Sequence, residues 1–224
     1  METAGLLRYL AKSSTPTLLA STSEVYGVGH GRPFQETDDS VYGPTTVARW
    51  SYAHSKAVDE HLAFALEQEL PSVVVRFFNT VGPRQRGDWG MVLPRFVQAA
   101  LTNAPIEVHG DGNQKRCFAD VRDIVDSLPR LLRSPDARGL PVNLGHDESI
   151  TILQLAELVR DVLNSESSIQ VLPYTEVWGR GFQDLQERIP DLARARNLVG
   201  LPPSRPLTET IQDLADCIRT KDSK

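Results

Sequence analysis

The stretch RWSYAHSKAVDE, residues 49–60, decides how the rest of the chain is read. It sets Tyr52 and Lys56 four residues apart inside a run, Val47 to Glu69, with helical spacing. Val58, Leu62 and Leu66 form one apolar stripe of that run, and Ala53, Ala57 and Phe64 lie near another. Positions i and i+4 share a helix face, so the phenol and the ammonium group can act at one site. A phenol is a poor base near neutrality, with a reference pKa of about 10. A positive charge one turn away favours its phenolate.

Upstream, TPTLLAS (Thr15–Ser21) reads as a buried strand that runs into STSEVYG, so that Thr22, Ser23 and Glu24 fall at its C-terminal end. Ligands sit at such strand ends in open parallel sheets. Downstream, SVVVRFFN (Ser72–Asn79) is a β-branched and aromatic run typical of a parallel-sheet strand. Residues 15–79 therefore read as a strand–helix–strand unit with a right-handed crossover expected. A short amphipathic helix over Glu2–Lys12, with Leu6, Leu7 and Leu10, precedes it. Beyond Gly82 the spacing predicts helices over 91–101, 121–132 (carrying Pro129), 191–198 and 207–219, and strands over 106–110, 142–146 and 168–174. Thr151 and Gln154 stand at capping-box spacing before a further helix.

The net charge of −5 gives no general attraction to nucleic acid, so an anion site must come from local arginines. Two cysteines, Cys117 and Cys217, without a Cys/His cluster, support neither a metal site nor a disulfide framework and suit a reducing, cytoplasmic compartment. No apolar run approaches the roughly 20 residues that span a bilayer, and no membrane association is expected. His54 and His61 read as ordinary helix-surface residues.

Taken together, ASTSEVYG, YAHSK, VVRFFNTVGPRQRG, MVLPRFVQAAL, VHGDGNQKRCFADVRDIV, VNLGHDESITILQLAELV and ERIPDLARARNLVGLPP occur in one order along nearly the whole chain. In these the chain resembles the extended short-chain dehydrogenase/reductases, in their NAD-dependent nucleotide-sugar epimerase, dehydratase and decarboxylase branch. The likeness is nearest to the UDP-glucuronate decarboxylases and UDP-uronate 4-epimerases. The resemblance implies an α/β fold. Residues 1–85 would form part of a Rossmann-like doubly wound parallel sheet. Residues 86–224 would form a smaller mixed α/β substrate lobe that returns to the sheet near 142–146.

It also implies roles. Tyr52 would take the proton of the sugar C4 hydroxyl as hydride passes to NAD. Lys56 would hold the charge of that tyrosine and bond the nicotinamide ribose. Thr22 would hydrogen-bond the reacting oxygen, and Ser23 and Glu24 would act on the 4-keto sugar. Ala20, Ser21 and Phe77 would border the cofactor. Asn79, Arg116 and Arg188 would meet the diphosphate, with Arg188 meeting either that group or a uronate carboxylate. Val92 and Leu93 would line the nucleotide. The partners implied are a UDP-sugar and a second copy of the chain, docked through the helix bearing Tyr52. The chain departs from the resemblance at Asp120, where relatives often carry Tyr or His.

A larger departure lies before Thr15. No glycine-rich turn joins a strand to a helix there, so about four βα units, roughly 90–120 residues, are expected to be lacking, with the main NAD cradle among them. These residues set three functions against one another. The first is a UDP-sugar epimerase or decarboxylase that is inactive as this shortened chain. The second is a non-catalytic remnant or UDP-sugar-binding fragment. The third is a reductase for a neutral substrate, which would have no use for Asn79, Arg116 and Arg188.

Overall fold

The computed structural model describes residues 2–29, 31–87, 91–177, 185–201 and 203–222. Helix α1 (Glu2–Ala11) leads into strand β1 (Thr17–Thr22), a single 3-10 turn (Ser23–Tyr26) and helix α2 (Trp50–Phe64). Strand β2 (Ser72–Phe77) follows, then the short β3 (Thr80–Val81) and helix α3 (Val92–Leu101). Next come β4 (Ile106–His109), β5 (Lys115–Cys117), β6 (Ala119–Asp120) and helix α4 (Val121–Arg133). Strands β7 (Pro141–Leu144) and β8 (Ser149–Thr151) precede helix α5 (Ile152–Val162), β9 (Ile169–Leu172) and the single turn α6 (Tyr174–Val177). The chain closes with β10 (Glu187–Arg188), α7 (Ala193–Val199) and α8 (Leu207–Asp222).

The α/β fold is centred on a parallel sheet of order β1–β2–β7. Register brings Thr22, Phe77 and Leu144, the last residues of the three strands, to one level. Alternation along β2 explains why both faces are covered. Val73 and Val75 pack on α4 through Ile124 and Leu131, whereas Val74 faces Leu7 of α1 and Ala63 of α2. A strand buried on both faces is read as a continuous apolar run, as SVVV is.

A second core gathers α3, α5 and α8 around β4, through Leu93, Phe96, Val108, Leu155, Val159, Ile211 and Leu214. Its helix α5 starts on the expected capping box: Gln154 N–H donates to Thr151 Oγ1 at 3.1 Å, and Thr151 N–H donates to Gln154 Oε1 at 3.0 Å. By contrast, α2 is shorter than its periodicity predicts. Arg49, its N-cap residue, makes no side-chain cap, and residues 65–69 continue as turns rather than helix. Val58 is 51% exposed, so the buried face of α2 is the one bearing Trp50, Ala53, Glu60 and Ala63.

Gly27 is required where it stands: its φ is +68°, and a Cβ there would collide with the carbonyl of Val41. Among the described residues no helix is long and apolar enough to cross a membrane.

Within the described sheet β1 pairs with β2 alone, which leaves its other edge without a strand partner there. Unpaired edges of this kind template association. The 224-residue chain is expected to self-associate as concentration rises, read by analytical ultracentrifugation. A chain that stays monomeric at high concentration, with β1 amides protected from hydrogen exchange, would contradict this.

Candidate active site

The level at which β1 and β2 end is also where the polar side chains gather. Thr22 Oγ1 accepts from the Glu24 amide at 3.3 Å and so starts the turn that carries Ser23 and Glu24. That turn, the first turns of α2 and the ends of β2, β5 and β10 surround a cavity of about 790 Å³. This is ample for a nucleotide-sized ligand. Its lining includes Thr22, Ser23, Glu24, Tyr52, Phe77, Asn79, Val92, Leu93, Arg116 and Arg188, all of them expected from the sequence.

Lys56, Ala20 and Ser21 are not part of that lining. Lys56 Nζ donates to the carbonyl of Ala20 at 2.9 Å and lies 3.5 Å from Asp59, which ties α2 to β1 behind Tyr52. Ser21 turns its hydroxyl away, onto the carboxylate of Glu60. Tyr52 itself is half exposed at the cavity mouth, one helical turn from Lys56.

The cationic side is built by strand pairing. β10 runs parallel to β5, with Arg188 and Arg116 as register partners. Like charges opposite one another on adjacent strands cost stability, a cost that the carboxylate of Glu24 reduces here. Both arginines are largely buried. Arg116 Nη1 donates to the Lys115 carbonyl at 2.8 Å. Arg188 Nη1 meets Glu24 Oε1 at 2.7 Å, while its Nε is buried without a hydrogen-bond partner. Asn79 Nδ2 donates to the Cys117 carbonyl at 2.9 Å, which links the end of β2 to β5.

Several lining residues were not singled out in the sequence. Arg49 Nη2 lies 3.6 Å from Glu24 Oε2, so Glu24 stands between two arginines. The signal was available, since Arg49 precedes Tyr52 by three residues and so shares its helix face. Gln114, His109, Arg95 and Tyr174 also line the cavity. Gln114 Nε2 donates to the His109 carbonyl at 2.7 Å and contacts the Tyr174 hydroxyl at 3.0 Å, and its buried Oε1 has no partner. Arg95 Nη2 meets His109 Nε2 at 3.0 Å. Burial and the neighbouring guanidinium of Arg95 both lower the pKa of His109, against a smaller opposing pull from Glu107.

Comparison with known proteins gives a consistent picture. Residues 2–145 match the model of the NAD dependent epimerase/dehydratase family. A UDP-N-acetyl-alpha-D-glucosaminuronate decarboxylase of Bacillus cytotoxicus is 37% identical over 94% of this chain and 67% of its own length. UDP-glucuronic acid decarboxylase 1 of Danio rerio is 37% identical over 92% of this chain, which spans only 48% of that protein. Among solved structures, a UDP-glucuronic acid 4-epimerase of Bacillus cereus, in complex with UDP-glucuronic acid and NAD, superposes with a TM-score of 0.84. It is 23% identical, covering 98% of this chain and 66% of its own, a likeness of fold.

Asp120, the position where the resemblance departs, does not line the cavity. Its carboxylate accepts from the Arg122 amide (2.8 Å), from Arg122 Nε and Nη2 (2.8 Å each) and from Thr210 Oγ1 (2.8 Å). It thus caps α4 and fastens α8. Burial opposes its ionisation, but the hydrogen bonds from Arg122 and Thr210 outweigh it and hold the carboxyl below its ordinary range. A carboxyl with a depressed folded pKa contributes stability that is present above the unfolded value, about 3.9, and lost as pH falls through the folded one. Asp120→Asn is expected to cost about 1–3 kcal/mol at pH 7 and to flatten the loss of stability below about pH 4, measured by urea unfolding across pH.

Proposed function

The chain belongs to the NAD dependent epimerase/dehydratase family, and from that premise we propose that it acts on a UDP-linked uronate, UDP-glucuronate or a close relative, through a 4-keto sugar. The observation that carries this reading is the common cavity of Tyr52, Thr22, Ser23 and Glu24 with the paired Arg116 and Arg188. Guanidinium forks suit a diphosphate because they offer paired donors at fixed geometry. A neutral substrate would have no use for that pair of cations.

The roles follow from the chemistry of each group. Tyr52 accepts the proton of the C4 hydroxyl, and Thr22 orients that oxygen. Lys56, held on the Ala20 carbonyl, keeps a positive charge one turn from the phenol. Asn79, Arg116 and Arg188 hold the diphosphate, and the start of α3 at Val92 and Leu93 flanks the nucleoside. A 4-keto group makes the C5 substituent labile, so a C5 carboxylate leaves readily as CO2. Glu24, standing between Arg49 and Arg188, marks the position beside which such a carboxylate would lie. This favours decarboxylation over C4 epimerisation.

The described residues fit one end of NAD only. Lys56, the end of β1 at Ala20 and Ser21, and Phe77, the register partner of Thr22, suit the nicotinamide ribose. Among the described residues there is no glycine-rich turn between a strand and a helix to receive the pyrophosphate. NAD, when bound, would supply the acceptor for the C4 hydride and the donor that returns it once CO2 has left, so no net oxidant is needed. Taken by themselves, the 224 residues bind NAD weakly and do not turn over. They retain affinity for the UDP-sugar.

An apolar face of α1 and α2, with Leu6 (58% exposed), Tyr9 (70%) and Val58 (51%), supports a homodimer formed through these helices.

The deciding experiment is product analysis with UDP-glucuronate on a form of the protein that includes a dinucleotide-binding half. UDP-xylose with CO2 is expected, and Tyr52→Phe is expected to lower kcat by about 100-fold or more. UDP-galacturonate would assign epimerisation instead, and an unchanged substrate would refute both. In calorimetry on the 224-residue chain, Arg188→Met should weaken UDP binding by about 10-fold, and NAD should give no measurable heat. Tight NAD binding would overturn the expectation for this chain.

A further inference from the structure

Glu60 and Arg76 are buried, are charged and do not line the cavity. Nothing in the reaction assigned to Tyr52 and its neighbours uses them. The carboxylate of Glu60 receives Arg76 Nε at 3.0 and 3.2 Å on its two oxygens and Arg76 Nη2 at 2.7 Å. The Ser21 hydroxyl donates to the same carboxylate. Ser21 and Arg76 are register partners on β1 and β2, so a single helix residue is bolted to two neighbouring strands at one level.

A buried ion pair is a poor way to gain stability, since well-packed apolar groups serve as well. What a bidentate pair supplies is geometry. Glu60 follows Lys56 by four residues and Tyr52 by eight, so the three share one face of α2. Lys56 is tied to the carbonyl of Ala20, the neighbour of Ser21. On its other side, the Arg76 guanidinium lies 4.7 Å from the centroid of the Tyr26 ring, and its Nη1 donates to the Glu36 carbonyl at 3.3 Å. Tyr26 ends the turn that carries Ser23 and Glu24, and its hydroxyl donates to Asn143 Oδ1 at 2.6 Å. One guanidinium therefore touches both the helix that bears Tyr52 and Lys56 and the turn that bears Ser23 and Glu24.

We propose that Glu60 and Arg76 are positioning residues: their ion pair sets where the Tyr52–Lys56 helix stands relative to the Thr22–Glu24 strand end. The inference rests on the function proposed above, since that function makes these two groups the reacting ones. Arg76→Lys is not an equivalent replacement, because an ammonium is a point charge without the planar fork.

The test uses the 224-residue chain carrying tyrosines labelled with carbon-13 at the ring Cζ, the Tyr52 signal being identified with Tyr52→Phe. Glu60→Gln is expected to move the Tyr52 signal and leave that of Tyr9, exposed on α1, in place. Asp213→Asn, which breaks the Arg122–Asp213 pair elsewhere in the molecule, controls for general destabilisation and is expected to leave Tyr52 unmoved. Ser21→Ala, which keeps the ion pair and removes one hydrogen bond, is expected to give a smaller displacement and decides the matter if Glu60→Gln does not fold. A Tyr52 signal unchanged in both Glu60→Gln and Ser21→Ala, or moved equally by Asp213→Asn, would overturn the proposal. In a form of the protein that turns over UDP-glucuronate, Glu60→Gln should lower kcat by about 10- to 100-fold with KM within about threefold, and Arg76→Lys should not restore it. A fall confined to KM would also overturn it. Failure of the unsubstituted protein to act on UDP-glucuronate would count against the proposed function, while the tyrosine signals would still decide the role of the pair.

Discussion

The parallel hydrogen bonding of β1, β2 and β7 brings three strand ends to one level, and the candidate site descends from that arrangement. In a parallel sheet the chain must leave each strand end and return over a face, so loops and helix starts collect along one edge. Thr22 stops β1 at that edge and caps the turn beyond it. β2 ends there as well, and Asn79 just beyond it reaches across to β5. Helix α2, which makes the return from β1 to β2, brings Tyr52 to the same edge. Its docking is specified by polar ties to β1 and β2 rather than by apolar contact alone.

The second constraint is electrostatic. The chain is acidic overall, yet the cavity wall carries Arg49, Arg116 and Arg188, with Glu24 set among them. Pairing of β5 with β10 forces Arg116 and Arg188 into adjacent positions. Burial makes their mutual repulsion more costly than it would be in water. Glu24 offsets part of that repulsion, and the proposed diphosphate would offset more. The neighbouring thiol of Cys117, next to Arg116 on β5, behaves differently: it is pushed up to about 12, chiefly by burial and further by Asp147, against a smaller opposing pull from Arg116, which suits an inert thiol.

Local signals were legible where one residue type did one job. The capping box at Thr151 and Gln154 marked the start of α5, and the SVVV run marked a strand covered on both faces. The two-residue strands β3, β6 and β10 left no periodicity to read, because each exists only through its partner. Arg49 carries a weaker signal: its spacing of three from Tyr52 puts it on the same helix face, but only the fold brings it to Glu24. Glu60 has no local mark that separates it from a solvated helix carboxylate; its burial comes from the docking of α2 on β1 and β2. The apolar stripe through Val58 divides: Leu62 and Leu66 pack against the core while Val58 stays exposed, since hydrophobic spacing does not say which face the sheet covers.

By itself the sequence determined the order of the longer helices and strands and the Tyr52–Lys56 spacing, because these depend on periodicity, capping and short motifs; the other residues of the candidate site were legible only through the family resemblance. Only the tertiary structure decided that Lys56 bonds the Ala20 carbonyl outside the cavity lining, that Ser21 donates to Glu60, that Asp120 fastens helices, and that Arg116 and Arg188 stand side by side. Each of these facts joins residues far apart in the chain. Such contacts arise from strand register and helix docking, which are properties of the whole packed chain and leave no trace in a local window.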